Sequence, residues 1–195
     1  RRSRRPSPYD AKSYPAHDSH QGVTMAAVPV PDTPEAERIF GQRVAPTRAG
    51  FLPLELIITN DRDEPIEVAL EKIVITGGGN RFEQVQVNKI AWALYPPPEE
   101  TDPRKKKKPS KKERRRRLWR EEAEAALRSR QLRARLVGPG ATARGYLYFD
   151  LRRRSIDLAA SSVYVPEVNG LGTGEGLFFF EVSLKPYRAR KSSRP

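Results

Sequence analysis

The sequence predicts an all-β fold, an antiparallel β-sandwich, and three observations carry that reading. Seven to eight short segments alternate apolar with polar residues or run through β-branched and aromatic ones, as in LPLELIITN, ARGYLYFDL and LFFFEVSLKP. Clusters of Gly, Pro, Asn and Asp separate these segments at short intervals, as turns do in a sandwich. A chain of 195 residues that is 37% hydrophobic also has material for one real core, with room left for appendages.

The elements follow in order. Residues 1–21, opening RRSRRPSPYDAKSYPAHDSH, offer little to bury and read as a disordered or extended basic arm. A β-sandwich domain is expected over 22–186. GVTMAAVPV forms a first strand ending near Pro29, and DTPEAERIFG a short N-terminal helix of one to two turns. In that helix Thr33 can cap, Pro34 suits the first helical position, Glu35 and Glu37 favour the positive end, and Gly41 stops it. In the next segment Leu54, Leu56 and Ile58 alternate with Glu55, Ile57 and Thr59; NDRDEP supplies a turn and IEVALEKIVITGGG resumes a β-branched run. The two runs read as an antiparallel hairpin. Gly77, Gly78, Gly79 and Asn80 turn the chain into RFEQVQV, another strand, and NKIAWALY reads as a short helix capped by Asn88.

A charged helical insert over 97–130 interrupts the pattern. PPPEETDP is a stiff entry, and Ser110 and Glu113 stand at capping-box spacing, so a helix is expected to start near Lys111. Trp119, Ala123, Ala126 and Leu127 form one narrow apolar stripe, while Glu121, Glu122 and Glu124 partly neutralise the second half. Cations sit badly at the positive end of a helix dipole, so the first turns are expected to fray without an anionic partner. Deleting the insert is expected to leave the sandwich folded, because loop length costs little.

Beyond it QLRARLV alternates, GPG turns, ARGYLYFDL is a strong aromatic strand and RRRSID a polar connection. SSVYVPEV is a short strand and GLGTGEG a flexible loop. The last strand, LFFFEVSLKP, sets Phe178, Phe180, Val182 and Leu184 on one face, and 187–195 trails off as a basic C-terminal arm.

LELIITNDRDEPIEVALEKIVI, followed by GPGATARGYLYFDL and FFFEVSL, resembles the immunoglobulin-like domains of bacterial lipoproteins and secreted proteins. In those domains a strand ending in Asn leads through a polar turn into a second β run, and a Pro-Gly turn precedes a late aromatic strand. The likeness covers about Gly22 to Pro96 and Leu132 to Pro186. It implies a non-enzymatic, extracytoplasmic binding or scaffolding module, periplasmic or at the cell surface and often membrane-tethered. The charged insert departs from that pattern, as does the lack of a lipid-bearing Cys and of a signal segment.

The formal charge is +13 and the pI near 10.3. Eleven net positive charges lie within Arg104 to Arg120, four within Arg1 to Arg5 and four within Arg188 to Arg194; the rest of the chain therefore carries −6. A basic groove built into the sandwich is not expected. The chain has no Cys, which excludes disulfides, thiolate zinc sites, Cys nucleophiles and Fe–S clusters. It begins at Arg1 with Met25 as its single Met, so a segment upstream of Arg1, a signal or an anchor, is an open expectation.

No cofactor, metal or small-molecule substrate is expected. His17 and His20 have His-x-x-His spacing but lie in the arm, where no fold fixes a second shell. GGGN lacks the Lys and Ser/Thr of a phosphate loop, and GLGTGEG leads into a strand; both read as hairpin loops. No Ser/His/Asp arrangement can be built. The candidate anion-binding residues are Arg104, Lys105, Lys106, Lys107, Lys108, Lys111, Lys112, Arg114, Arg115, Arg116, Arg117 and Arg120. Leu118, Trp119, Arg1, Arg2, Arg188 and Arg190 are the interface candidates. Three partners fit the run: an acidic neighbouring protein subunit, an anionic membrane surface, or a nucleic-acid backbone gripped without base reading. The leading expectation is a non-catalytic accessory or scaffolding subunit of a membrane-associated complex. A nucleic-acid-associated, ribosome-type protein, with a cytoplasmic location, is the alternative.

Overall fold

The computed structural model describes residues 10–97, 110–172, 176–177 and 179–187. Twelve strands and three α-helices are present among them. The strands are β1 (His17–His20), β2 (Val23–Pro29), β3 (Phe51–Asn60), β4 (Ile66–Val68), β5 (Val74–Gly77), β6 (Asn80–Phe82), β7 (Leu136–Val137), β8 (Thr142–Asp150), β9 (Ser161–Val165), β10 (Val168–Gly170), β11 (Gly176–Leu177) and β12 (Phe180–Ser183). The helices are α1 (Thr33–Phe40), α2 (Val87–Leu94) and α3 (Lys111–Arg130).

The strands form three four-stranded sheets, ordered β1-β2-β3-β8, β11-β10-β4-β7 and β12-β9-β5-β6, and every pairing within them is antiparallel. The fold is thus β-rich, as expected, with one main core to which all three sheets contribute. Met25, Leu54, Leu56, Ile58 and Phe149 from the first sheet meet Ile66, Val68 and Val168 from the second and Ile75, Val163, Phe180 and Val182 from the third.

β3 is the best example of sequence and environment acting together. It lies between β2 and β8, and all ten of its residues are buried. Leu52, Leu54, Leu56 and Ile58 face the main core, as the alternation requires. The opposite face is buried as well: Phe51 joins a second core and Ile57 packs with Ala11 and Ala26 in a third. Glu55 on that face is paired with Arg144 of the neighbouring strand, whose Nε donates to Oε1 at 3.0 Å.

Several expectations are corrected. β3 and β4 do not form a hairpin; β4 crosses into the second sheet and pairs with β7 and β10. The reason is Asn60, which is fully buried and whose Nδ2 donates to the carbonyls of Glu64 (2.8 Å), Val137 (2.9 Å) and Gly138 (3.2 Å). It bends the chain out of the first sheet. Order also begins before Gly22: Asp10 caps a 3-10 turn, Ala11 and Ala16 are buried, and β1 pairs with β2. Asp32, one residue before Thr33, occupies the N-cap of α1, and Gln86 that of α2, so Asn88 lies inside the second helix. RFEQVQV is strand only as far as Phe82, and QLRARLV contributes only Leu136 and Val137.

Other expectations stand. Gly78 and Gly79, at φ 57° and 73°, make the β5–β6 turn. Phe180, Val182 and Leu184 are buried on one face; Phe178, like part of the GLGTGEG loop, lies outside the described residues.

Candidate anion-binding surface

α3 begins as the sequence predicts. The Ser110 hydroxyl accepts from the Glu113 backbone N–H at 3.2 Å, and the Glu113 carboxylate accepts from the Ser110 N–H. This capping box satisfies two N-terminal donors and places one acid among the cations. The far half of the helix is bound into the body of the protein. Ala123 and Leu127, one turn apart on the same face, are fully buried, and Leu127 joins Phe40, Phe51, Ile90 and Tyr148 in the second core. The last two turns of α3 therefore form part of a core.

One turn ahead of Ala123, the same stripe reaches Trp119, and there the packing opens. The Trp119 ring lies 5.7 Å from that of Tyr95, which follows α2. A groove of about 380 Å³ opens between them, lined by Arg43, Arg48, Ala49, Ala93, Leu94, Tyr95 and Trp119. The Tyr95 hydroxyl donates to the Arg43 carbonyl at 2.7 Å, tying α2 to the loop after α1. Burial pushes the Tyr95 phenol above its ordinary pKa, with the neighbouring Arg43 and Arg48 opposing the shift.

The cations around the groove rest on rings. The Arg43 guanidinium lies 5.2 Å and that of Arg115 4.7 Å from the Trp119 ring centre, and Arg120 lies 4.3 Å from that of Trp92, whose ring is half exposed. A ring holds a guanidinium in place without cancelling its charge. Arg48 is the exception, with Glu37 at 3.5 Å and the Gln42 carbonyl accepting at 2.8 Å.

Arg117 pairs with Glu121 at 2.9 Å, and Arg128 with Glu124 one turn later. Lys111, Lys112, Arg114, Arg115, Arg116 and Arg120 form no ion pair among the described residues. Leu118 is 57% exposed, pointing away from the core. The other residues singled out from the sequence, Arg104, Lys105, Lys106, Lys107, Lys108, Arg1, Arg2, Arg188 and Arg190, lie outside the described residues.

Sequence reasoning missed Trp92, Tyr95, Arg43 and Arg48. The basic run itself carries one ring, Trp119; Trp92 and Tyr95 arrive from α2 and the residue after it, and the second core packs α2 against α3. The available signal was WALY, in which two rings stand three residues apart on a short helix and its first residue beyond.

The two histidines are engaged elsewhere. His17 Nδ1 lies 2.7 Å from the Tyr14 carbonyl; His20 stacks on Phe180 at 3.8 Å with Nε2 3.1 Å from the Phe179 carbonyl. Asp18 accepts from the Glu181 N–H at 3.0 Å. His20 and Asp18 thus join the edge of β1 to β12. Among the described residues no cluster of three His, Asp or Glu side chains is placed to hold a metal ion, and no helix is long and apolar enough to cross a membrane.

No family model and no curated protein matches the chain. Among solved structures it is similar to a functionally unknown protein from Listeria monocytogenes EGD-e, at 14% identity over 77% of this chain and 68% of that one, with a TM-score of 0.35. A likeness at this level carries no argument about function.

Proposed function

We propose that this chain is a non-catalytic accessory subunit, an immunoglobulin-like scaffold that docks on an anionic partner in a larger assembly through the basic half of α3. One observation carries the reading: six cations of α3 from Lys111 to Arg120 lack an acidic partner among the described residues, on a helix whose other end is fixed in a core. Fixing the helix lowers the entropy lost on docking, and unneutralised charge steers an anionic partner to it. The engagement of His20 against β12 and of His17 with the Tyr14 carbonyl supports a non-catalytic role. A membrane-surface version is less well supported, because α3 turns Ala123 and Leu127 inward and keeps only Leu118 as a large exposed apolar side chain of its own.

The test uses the full chain and a variant with Lys111, Lys112, Arg114 and Arg116 changed to Gln. Binding to inorganic polyphosphate is titrated at two salt concentrations. We expect wild-type affinity to fall steeply with salt, and the variant to bind about tenfold more weakly with a shallower slope. Equal binding by the two proteins would remove α3 as the docking element.

A further inference from the structure

We propose that the groove between Tyr95 and Trp119 is a nucleotide-sized stacking site, and that the anionic partner of α3 is single-stranded nucleic acid. The proposal deepens the docking function above and rests on it.

Three features of the groove point to this chemistry. First, planar groups cluster at the groove. Arg43 and Arg115 both lie over the Trp119 ring, Tyr95 is tilted against it, and Arg120 covers Trp92 on the adjoining turn. Unpaired bases stack on both aromatic rings and guanidinium planes, which makes this composition suited to them. Second, the lining combines the cations Arg43 and Arg48 with the apolar side chains of Ala49, Ala93 and Leu94, so it offers apolar surface for a base together with cations for its phosphate. Third, its volume of about 380 Å³ falls at the small end of the range for ligand sites, about 300–1,000 Å³, and suits one nucleotide rather than a folded partner.

An acidic polypeptide matches the charge but not the rings. The helices α2 and α3 present no open strand edge to pair with an extended peptide, and carboxylates gain nothing from stacking surfaces. A duplex keeps its bases inside the stack and would reach only the outer cations. Single-stranded nucleic acid uses both parts of the surface: its bases occupy the ring cluster, and its backbone continues along Arg115, Arg114 and Lys111 toward the start of the helix.

Trp92 and Trp119 are the two tryptophans of the chain, so Trp92→Phe leaves Trp119 as a single fluorescent reporter in the groove. Three probes are titrated into that protein at fixed salt: a twelve-nucleotide oligodeoxythymidylate, inorganic polyphosphate and poly-glutamate. We expect the oligonucleotide to quench Trp119 strongly, and polyphosphate to bind with little quenching. In the wild-type background, with binding followed by anisotropy of labelled probes, Trp119→Leu is expected to weaken the oligonucleotide about tenfold or more while leaving polyphosphate unchanged. Arg43→Gln, which leaves the buried stripe of α3 untouched, should weaken the oligonucleotide in the same selective way if Trp119→Leu disturbs folding. If both anions bind but neither substitution discriminates between them, the stacking site is overturned and docking by α3 survives. Tighter binding of poly-glutamate than of the oligonucleotide overturns the choice of partner. If no polyanion binds, the docking function fails with it.

Discussion

The Tyr148 hydroxyl, buried in the second core, donates a 3.0 Å hydrogen bond to the backbone carbonyl of Leu127. It links β8, the last strand of its sheet, to the last turn of α3, where that carbonyl has no partner within the helix. Tyr148→Phe leaves the carbonyl unpaired in a buried place and is expected to cost about 1–3 kcal/mol. Leu127→Ala, which opens a cavity beside Phe40 and Ile90, should cost about 2–5 kcal/mol. Urea denaturation measures both. If each change costs under about 0.5 kcal/mol, the far half of α3 is not part of the core.

The tyrosines also set the alkaline limit of the fold. Burial pushes Tyr146 up to about 12, and Tyr148 further in the same direction for the same cause. An unfolded tyrosine titrates near about 10. Below that pH both states hold the proton and the full stability is present; above it the unfolded chain loses protons that the folded one keeps, and stability falls as pH rises toward about 12. We expect the urea midpoint to hold between pH 7 and 9 and to decline from about pH 10. The double variant Tyr146→Phe, Tyr148→Phe should decline less steeply, and an unchanged slope would argue that neither phenol is buried.

Asn60 is a clasp of a different kind. Its amide satisfies three carbonyls, and its Oδ1 accepts the Arg62 N–H at 3.0 Å. Asn60→Ala removes a donor from the carbonyls of Glu64 and Val137, while that of Gly138 keeps the Ala141 N–H, and is expected to cost about 1–3 kcal/mol. Asn60→Asp should be worse near neutral pH, since a carboxylate would face carbonyl oxygens, and should recover partly in acid as it gains a proton. A scan of midpoint against pH for the two variants distinguishes the cases; a more stable Asp variant at pH 7 would contradict this geometry.

Gly145 marks a close crossing of chains. A Cβ built there would lie 2.6 Å from both the Cα and the backbone N of Leu132. The Leu132 N–H donates to the Tyr146 carbonyl at 3.0 Å, so the chain leaving α3 lies directly against β8. Gly145→Ala must push that crossing apart, at a cost of about 1–3 kcal/mol. Gly79, with no atom near its missing side chain but φ at 73°, supplies the comparison: Gly79→Ala should cost about 1 kcal/mol through backbone strain alone. Thermal midpoints rank the two, and a milder effect at Gly145 would mean that the chains are not in contact.

What the sequence revealed and what it hid follow from the range of the interactions. Alternation in β3, the capping box at Ser110 and the glycines of the β5–β6 turn depend on neighbours a few residues apart, and each was legible. The partner of β4 was not, because Asn60 reads as an ordinary turn former until its amide is seen to reach Val137, 77 residues away. β1 was hidden because HDSH has no apolar alternation; it is held by pairing with β2 and by His20 and Asp18 against β12. The groove was half legible. The cations are contiguous in sequence, whereas Trp92 and Tyr95 reach Arg120 and Trp119 only because Ile90 and Leu127 share a core.

The uneven fixing of α3 makes it a cantilever. Behind Trp119 the buried positions Ala123 and Leu127 answer to the shape of the core, which fixes the register of the helix there. Ahead of it the hydrogen bonds and ion pairs among the described residues stay within the helix, in its cap at Ser110 and in Arg117 with Glu121, so the charge there can be changed without disturbing the buried stripe. The lever's charge thus sits at its free end, while its pivot lies where Leu127 meets Tyr148.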